Sequence, residues 1–579
     1  MQRIVDPQQS RMFDPFDPVL TDKTRARLLD GWPGVVRHVV LELMPVGTLG
    51  EHYSPDTGRP TKELYSMAGL ILLMECMDWT KQDALDAYSY HMDVHYALNM
   101  EPVTHDMSIR TLERYILIFE QDKLARSVMN EVTVRLAELL EIKIDKQRLD
   151  STHVFSNMAS FGRTRLMGVA IKRFLTQVQR HDPSVYVGLP ESLRQRYSPS
   201  VHQMFADAGK DKDSRHLLRQ QVAEDMHVLI GRFAEMEKHR DRSSYKSMEQ
   251  IFYEQCEVHE KKVTLKGKPG SDVMQNPSDP DATYDGHKGQ GYQVQISETC
   301  HPDNEVQLVT TALAQTAAKS DAEAVEPVLE DLQKSGLLPQ EMLVDTSYAS
   351  DENVQTAKGF DVELVGPVPG SNSQSASDDL TIDDFNVGET SGQVVCCPAG
   401  HQPVSSVHDP ETGKTRTTMP DSACCGCEDF DQCPVEKKRN GYQVDHTAKQ
   451  RRTAARRHEE ATDVFRERYR VRGGIEGTNS GLKRRTGLGR VRVRGGPRVF
   501  HAIYLKITGW NILRASVCAK MREIVRQRAY AAVFWACFGA YTLQDTHQSR
   551  LGRFRSMFLA FRSSFNASME FFRSRELGF

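Results

Sequence analysis

Four residues in one short stretch, Tyr469, Arg472, Glu476 and Lys483, are of types that handle phosphate: two cations, a phenol and a carboxylate. On a continuous helix, at about 100° per residue, they would fall at roughly 0°, 300°, 340° and 320°, on one narrow face. They belong to a basic block that also holds Arg484 and Arg485. From Lys449 to Arg498 there are 16 Lys and Arg against 5 Asp and Glu, a local net of +11 in a chain whose formal net charge is −4. Such an asymmetry repels itself unless a polyanion is present, and each phosphate neutralised by Lys or Arg releases condensed counterion. A single carboxylate among these cations suits a divalent ion, which needs acid ligands beside a phosphate. The plainer alternative is an exposed ion-pair stripe. Gly473 and Gly474 weaken any helix here by about 1 kcal/mol each relative to Ala.

Two more acids sit where sites form in α/β sheets, at strand ends. Asp150 lies in IKIDKQRLDSTHVF, whose branched residues predict a strand. Asp345 follows Met342-Leu343-Val344, an apolar run that suits a buried central strand. Singly, each would more often be a turn or cap residue. Converging with Glu476, they could hold two Mg²⁺ or Mn²⁺ ions about 3.5–4 Å apart, one at the nucleophile and one at the leaving oxygen. Carboxylate ligands suit such hard ions better than zinc.

Six of the 11 cysteines fall in one window: Cys396, Cys397, Cys424, Cys425, Cys427 and Cys433. Cys424-x2-Cys427 supplies one zinc knuckle, and Cys397 with Cys433 could complete a structural Zn²⁺ site. The doubled pairs leave the register open, His401 could replace a thiolate, and unligated reduced thiols are the alternative. Zinc would suit an insert with too few apolar residues for a core of its own. In SIRTLERY, Arg110 and Arg114 lie four apart and could reach DNA from a recognition helix. Leu112, Tyr115 and Ile116 would equally suit an ordinary bundle helix. His153 and His287 read as hydrogen-bonded scaffold residues.

The elements that must position these groups can be read from periodicity. Residues 1–54 form a Pro-rich lead segment that packs on the domain after it. Residues 55–142 read as an all-helical domain: Leu64, Met67, Leu70, Leu73 and Met74 recur at helical spacing, and Thr80 with Asp83 makes an imperfect capping box. Segments 143–368 and 446–515 read as a mixed α/β sheet core. GYQVQISET and EVQLVTTALA form a hairpin, a helix capped by Ser320 and Glu323 runs through Leu332, and DVELVGPV is a last short strand. Residues 156–285 contain a charged helical insertion, and 369–445 an acidic loop followed by the cysteine-bearing insert. Residues 516–579 form a helical tail whose Phe554, Phe558, Phe561, Phe565, Phe571 and Phe572 could serve dimerisation or pack on the core.

At 579 residues, 39% hydrophobic and 26% charged, the chain has ample material for a large core. The apolar stretch Ala529–Leu543 falls short of the about 20 residues a membrane helix needs. MQRIVDPQQS lacks a charged region followed by an apolar one, which speaks against secretion. These features predict a soluble, cytoplasmic protein with no membrane partner.

Tyr469-x2-Arg472-x3-Glu476-x6-Lys483 resembles the Tyr-Arg-Glu-Lys signature of DDE transposases from bacterial insertion sequences. LDSTHVFSNMASFGR and VDTSYASDEN are similar to the family's two Asp segments, and CPAGH…CCGCEDFDQCP to a cysteine-bearing insert of one branch. The helical stretch 58–88 and HDMSIRTLERY resemble its N-terminal domain. The resemblance implies a ribonuclease-H-like core, a metal-binding triad of Asp150, Asp345 and Glu476, and DNA contacts from Tyr469, Arg472 and Lys483. It implies cleavage at terminal inverted repeats, joining to target DNA, association with the nucleoid, and a homo-oligomer in the DNA complex. A non-catalytic DNA-binding derivative and a nuclease of the same fold acting on branched DNA are the alternatives.

Overall fold

The computed structural model describes residues 1–8, 14–206, 211–260, 262–370, 379–388, 391–439 and 441–530. Cys537, most of the Ala529–Leu543 stretch, the tail phenylalanines and much of the acidic loop lie outside the described residues. Among the described residues no helix is long and apolar enough to cross a membrane.

The N-terminal region is helical as its periodicity predicts. Helix α1 (Leu64–Cys76) starts where the Glu63 side chain accepts from the Tyr65 and Ser66 backbone. The Thr80–Asp83 capping box closes in both directions at the head of the helix Lys81–Tyr90. Helix α2 (Ile109–Gln121), capped by Ser108, buries Leu112, Tyr115, Ile116, Ile118 and Phe119. Helix α3 (Leu124–Leu140) comes directly after it. This bundle does not stand apart from the sheet. One apolar core runs from Phe16 and Val35 through α1, α2 and α3 to the sheet strands and the last helix.

The central sheet has six strands. In chain order they are β1 (Lys146–Val154), β2 (Thr283–Asp285), β3 (Gly289–Thr299), β4 (Val309–Thr316), β5 (Glu341–Leu343) and β6 (Glu363–Val365). The hairpin read from the sequence is β3–β4, antiparallel, with Tyr292 opposite Thr316. On its other side β3 runs antiparallel to β1, with Asp150 opposite Ile296. Strands β5 and β6 extend the sheet in parallel beyond β1. The order is therefore β4-β3-β1-β5-β6, with short β2 paired to the start of β3. Strand β3 is almost wholly buried, so helices must cover both faces.

Between β1 and β2 lies the charged helical insertion: α4 (Arg163–His181), α5 (Lys212–Phe233) and α6 (Ser243–Gln255). It closes around a separate core that includes Phe174, Phe233, Tyr245 and Phe252. Strand β2 falls inside the 156–285 range but pairs with the central sheet. The helix expected after Ser320 begins as a 3₁₀ turn, Asp321–Ala324, and continues as α7 (Val325–Lys334). There the Ser320 hydroxyl accepts from the Ala322 backbone.

The cysteine-bearing insert carries a four-stranded sheet of Ser405–Asp409, Lys414–Met419, Glu436–Lys438 and Gly441–Thr447. It has its own small core of Ile382, Phe385, Val394, Met419, Val435, Tyr442, Val444 and Ala454. That corrects the expectation of an insert too polar to pack: its few apolar residues are scattered over several short elements, such as Ile382, Val394, Met419 and the alternating Tyr442 and Val444, and converge only on folding. The chain returns through α8 (Ala448–Ala461), α9 (Asp463–Tyr469), α10 (Gly474–Arg485) and α11 (Gly496–Ser516). Helix α11 is buried on nearly all sides. Its Asn511 accepts from Val309 N (2.9 Å) and donates to Val309 O (2.8 Å) and Thr133 Oγ1 (3.1 Å), locking α11 to β4 and α3.

Candidate active site

Three acids from three distant segments meet around one guanidinium. Strand β1 points Arg148 and Asp150 to the same face, as residues two apart on a strand must. Asp345 stands two residues past β5, where pairing persists for one more step through Val344 N to Val365 O (2.9 Å). There the chain turns, with Thr346 N donating to the Asp345 carboxylate at 2.7 Å. Glu476 lies in the first turn of α10, where the helix dipole favours a carboxylate. Arg472 reaches all three: Nη2 is 3.1 Å from Asp150 and 4.0 Å from Asp345, and Nη1 is 3.6 Å from Glu476.

The four signature residues do not share one continuous helix. Helix α9 ends at Tyr469, a 3₁₀ turn spans Arg470–Gly473, and α10 begins at Gly474. The tighter turn re-aims Arg472 inward. Tyr469 also faces inward: its hydroxyl donates to Val344 O at 3.0 Å and its ring stacks on Phe465. Burial pushes its phenol up to about 12. The resemblance made Tyr469 a DNA contact, whereas here its hydroxyl bonds the strand end that carries Asp345.

A buried pair that sequence reading missed fixes this geometry. Glu298 of β3 has no exposed side-chain surface and accepts from Arg148 Nε (2.8 Å) and Nη2 (2.5 Å) and from Thr478 Oγ1 (2.6 Å). Arg148 Nη1 donates to Val471 O at 2.7 Å, holding the backbone of the 3₁₀ turn. Gly474 explains itself here: a Cβ at that position would collide with Arg148 Nη1. The glycine that weakens the helix in isolation is what lets the guanidinium pass. Asn479, one turn after Glu476, donates to Asp150 Oδ2 at 3.1 Å and was also missed. Its spacing of three from Glu476 was the available signal.

Burial raises the Asp150 carboxyl above the usual aspartate range, an effect that Arg472 opposes and Asp345 and Asp321 reinforce. Exposure grades across the cluster: side chains of Arg472 and Asp150 are 14% and 19% exposed, those of Asp345 and Glu476 50% and 74%. The site therefore opens to solvent on the side of the last two acids. An all-carboxylate donor set, partly desolvated and open on one side, fits Mg²⁺ or Mn²⁺. Among the described residues no three His, Cys, Asp or Glu side chains are spaced to hold a metal ion. At these acids, Arg472 stands between them.

Much of the basic block is spent internally. Arg452 pairs with Asp351 (2.7 Å), and Arg456 donates to Ala349 O and Gly366 O, so α8 straps the loop after Asp345. Arg468 bridges Glu341 and Glu363 at the starts of β5 and β6. Arg492 and Arg498 pair with Asp78 and Glu120 of the bundle. The local excess of cations is matched by acids elsewhere in the chain, which no window count could show. Lys483, Arg484 and Arg485 at the end of α10 are exposed. Arg110 and Arg114 are exposed on α2, with Arg114 over the Tyr53 ring; neither contacts the acid cluster.

Cys397, Cys424, Cys427 and Cys433 line one small cavity with His401. Burial, then the neighbouring thiols, push Cys424 up to about 11. His153 Nε2 donates to Gln290 O at 3.2 Å, as a scaffold residue would.

Residues 396–515 match the family model described as a transposase DDE domain. The matched segment holds Glu476, Tyr469, Arg472, Lys483 and the cysteine window, while Asp150 and Asp345 lie outside it. Over this segment the chain is similar to DDE transposases. Among solved structures it is similar to a piggyBac transposase synaptic complex with hairpin DNA. That likeness has 11% identity, 68% of this chain and 74% of that chain covered, and a TM-score of 0.20. No curated protein matches the chain.

Proposed function

We propose that the chain is a DNA transposase that cuts and joins transposon ends at terminal inverted repeats, with Asp150, Asp345 and Glu476 as its metal-binding triad. The convergence of these three acids on Arg472, from segments far apart in the chain, carries the reading. The domain match over residues 396–515 supports it, and the mixed sheet with the acids at strand ends supports a ribonuclease-H-like core. Bound at these carboxylates, Mg²⁺ or Mn²⁺ would activate the attacking oxygen and stabilise the leaving one.

The chain's own residues do the positioning. Asn479 orients Asp150 through one oxygen and leaves the other for Arg472. The Arg148–Glu298–Thr478 set ties β1 and β3 to α10, so Asp150 and Glu476 keep their separation. The α8 strap and Tyr469 hold the turn that carries Asp345. Lys483, Arg484 and Arg485, exposed at the opposite end of α10 from Glu476, would bind the DNA backbone. Arg110 and Arg114 are candidates for a second contact. Pairing two transposon ends would call for at least two copies of the chain. Cys397, Cys424, Cys427 and Cys433, which line one cavity, are the candidates for a structural zinc ion, which would have to draw the thiols closer together than they stand. The test is to incubate DNA from both flanks of the gene with Mg²⁺ and wild-type protein or Glu476→Gln. Discrete cuts at two inverted ends, lost in the variant, are expected. Cuts that persist in Glu476→Gln would refute the triad, and binding without cutting by wild type would refute the enzyme.

A further inference from the structure

Arg472 occupies the place that the triad would offer to a metal ion. Its two terminal nitrogens lie 3.1, 4.0 and 3.6 Å from oxygens of Asp150, Asp345 and Glu476. A divalent ion would bond oxygens of the same carboxylates at about 2.1 Å. Two cations drawing on one set of oxygens would sit within a few ångströms of each other and repel. The present placement of Arg472 and a bound metal therefore exclude each other.

The same placement is incomplete for arginine. Its Nε is buried and has no acceptor, so one donor of the guanidinium goes unused. A phosphodiester would offer a two-oxygen acceptor that fits the guanidinium fork, outside the acid cluster. The backbone need not move for this exchange, because Arg148 holds Val471 O at 2.7 Å. The exchange therefore calls for movement of the Arg472 side chain rather than of the turn, while Asn479 keeps its own hold on Asp150 at 3.1 Å.

We propose that Arg472 is an exchangeable counter-ion. In the DNA-free protein it gathers the three acids and keeps metal out; a phosphate of the DNA backbone draws it away and frees the carboxylates. Metal and DNA then bind cooperatively, each raising the affinity for the other by the same factor. The protein would thereby hold no loaded metal site until DNA is in place. This inference rests on the reading of the three acids as the metal site.

The experiment is a Mn²⁺ titration of the full chain without DNA, followed by electron paramagnetic resonance, for wild type, Arg472→Gln and Glu476→Gln. Arg472→Gln is expected to bind Mn²⁺ about tenfold or more tightly than wild type, since removing a cation beside carboxylates favours another. Glu476→Gln is expected to bind more weakly than wild type. Equal or weaker binding by Arg472→Gln, with Glu476→Gln still impaired, would overturn the counter-ion role and leave the triad standing. Identical binding by all three proteins, or none by any, would overturn the triad and the inference with it. Should Arg472→Gln fail to fold by circular dichroism, Arg472→Lys takes its place. Its shorter reach predicts tighter Mn²⁺ binding than wild type, and equal or weaker binding would overturn the proposal.

Discussion

The acid cluster and the cysteine window are two ways of gathering ligands. The acids come from β1, the turn after β5 and the start of α10, so long-range strand pairing must form before they meet. The cysteines come from one short stretch, brought together by local turns such as Cys427 N to Cys424 O and Cys433 N to Phe430 O. The acids carry a cation of their own, Arg472. At Cys424, by contrast, burial and the neighbouring thiols push the thiol up to about 11, which keeps it protonated at neutral pH. A metal arriving at the acids must displace a charge, whereas zinc arriving at the cysteines must displace protons.

That contrast can be broken in several places. The largest effect belongs to the acids: Asp345→Asn should retain DNA binding in a gel-shift assay and lose cleavage by on the order of 10³-fold. Next is the buried support. Arg148→Ala leaves Glu298 without its ion partner in a fully buried position, and should cost roughly 3–5 kcal/mol in urea unfolding. Replacing an exposed partner elsewhere would show no such penalty.

For the cysteines, stripping zinc with a chelator should lower the melting temperature of wild type and leave Cys427→Ser unchanged. Equal behaviour of the two proteins would mean that the thiols are unligated. A smaller effect sharpens the electrostatic half of the comparison. The Asp150 carboxyl is raised in the folded chain, so folding binds its proton more tightly than the unfolded chain does. Its contribution to stability is thus present below the ordinary aspartate value of about 3.9 and fades as pH rises through the raised value. Metal binding has the opposite sign, weakening as pH falls through that same raised value. A Mn²⁺ titration against pH should show the loss beginning above the range of a free aspartate. The smallest effect is on the surface of the insert, where Arg416 is 66% exposed beside Asp445. Asp445→Asn should leave the urea-unfolding midpoint essentially unchanged, since an exposed pair of this kind contributes little.

What could be read from the sequence was what depends on local patterns. The apolar run before Asp345, the branched residues around Asp150 and the hairpin after it all became strands in the expected places. The cysteine spacing matched a common cavity. What could not be read depends on long-range pairing. A count over Lys449–Arg498 treats Arg452, Arg468 and Arg492 as available to phosphate, but their partners Asp351, Glu341 and Asp78 lie far away in sequence. The helical wheel placed Tyr469 and Arg472 with Glu476 on one narrow face of a continuous helix. The 3₁₀ turn between them, held by Arg148 passing Gly474, sends both side chains inward instead. Asn479 was within reach of the same spacing argument, yet its role shows only once β1 lies beneath α10.

Whether Asp150, Asp345 and Glu476 form one metal site is tested most directly by anomalous diffraction. Crystals of the full chain with Mn²⁺ and duplex DNA from the flanks of the gene would be used. An anomalous peak is expected within bonding distance of the Asp150 and Asp345 carboxylates, with Glu476 beside it and Arg472 turned away to a phosphate. Manganese bound elsewhere, with Arg472 still seated among the three acids, would contradict a shared metal site.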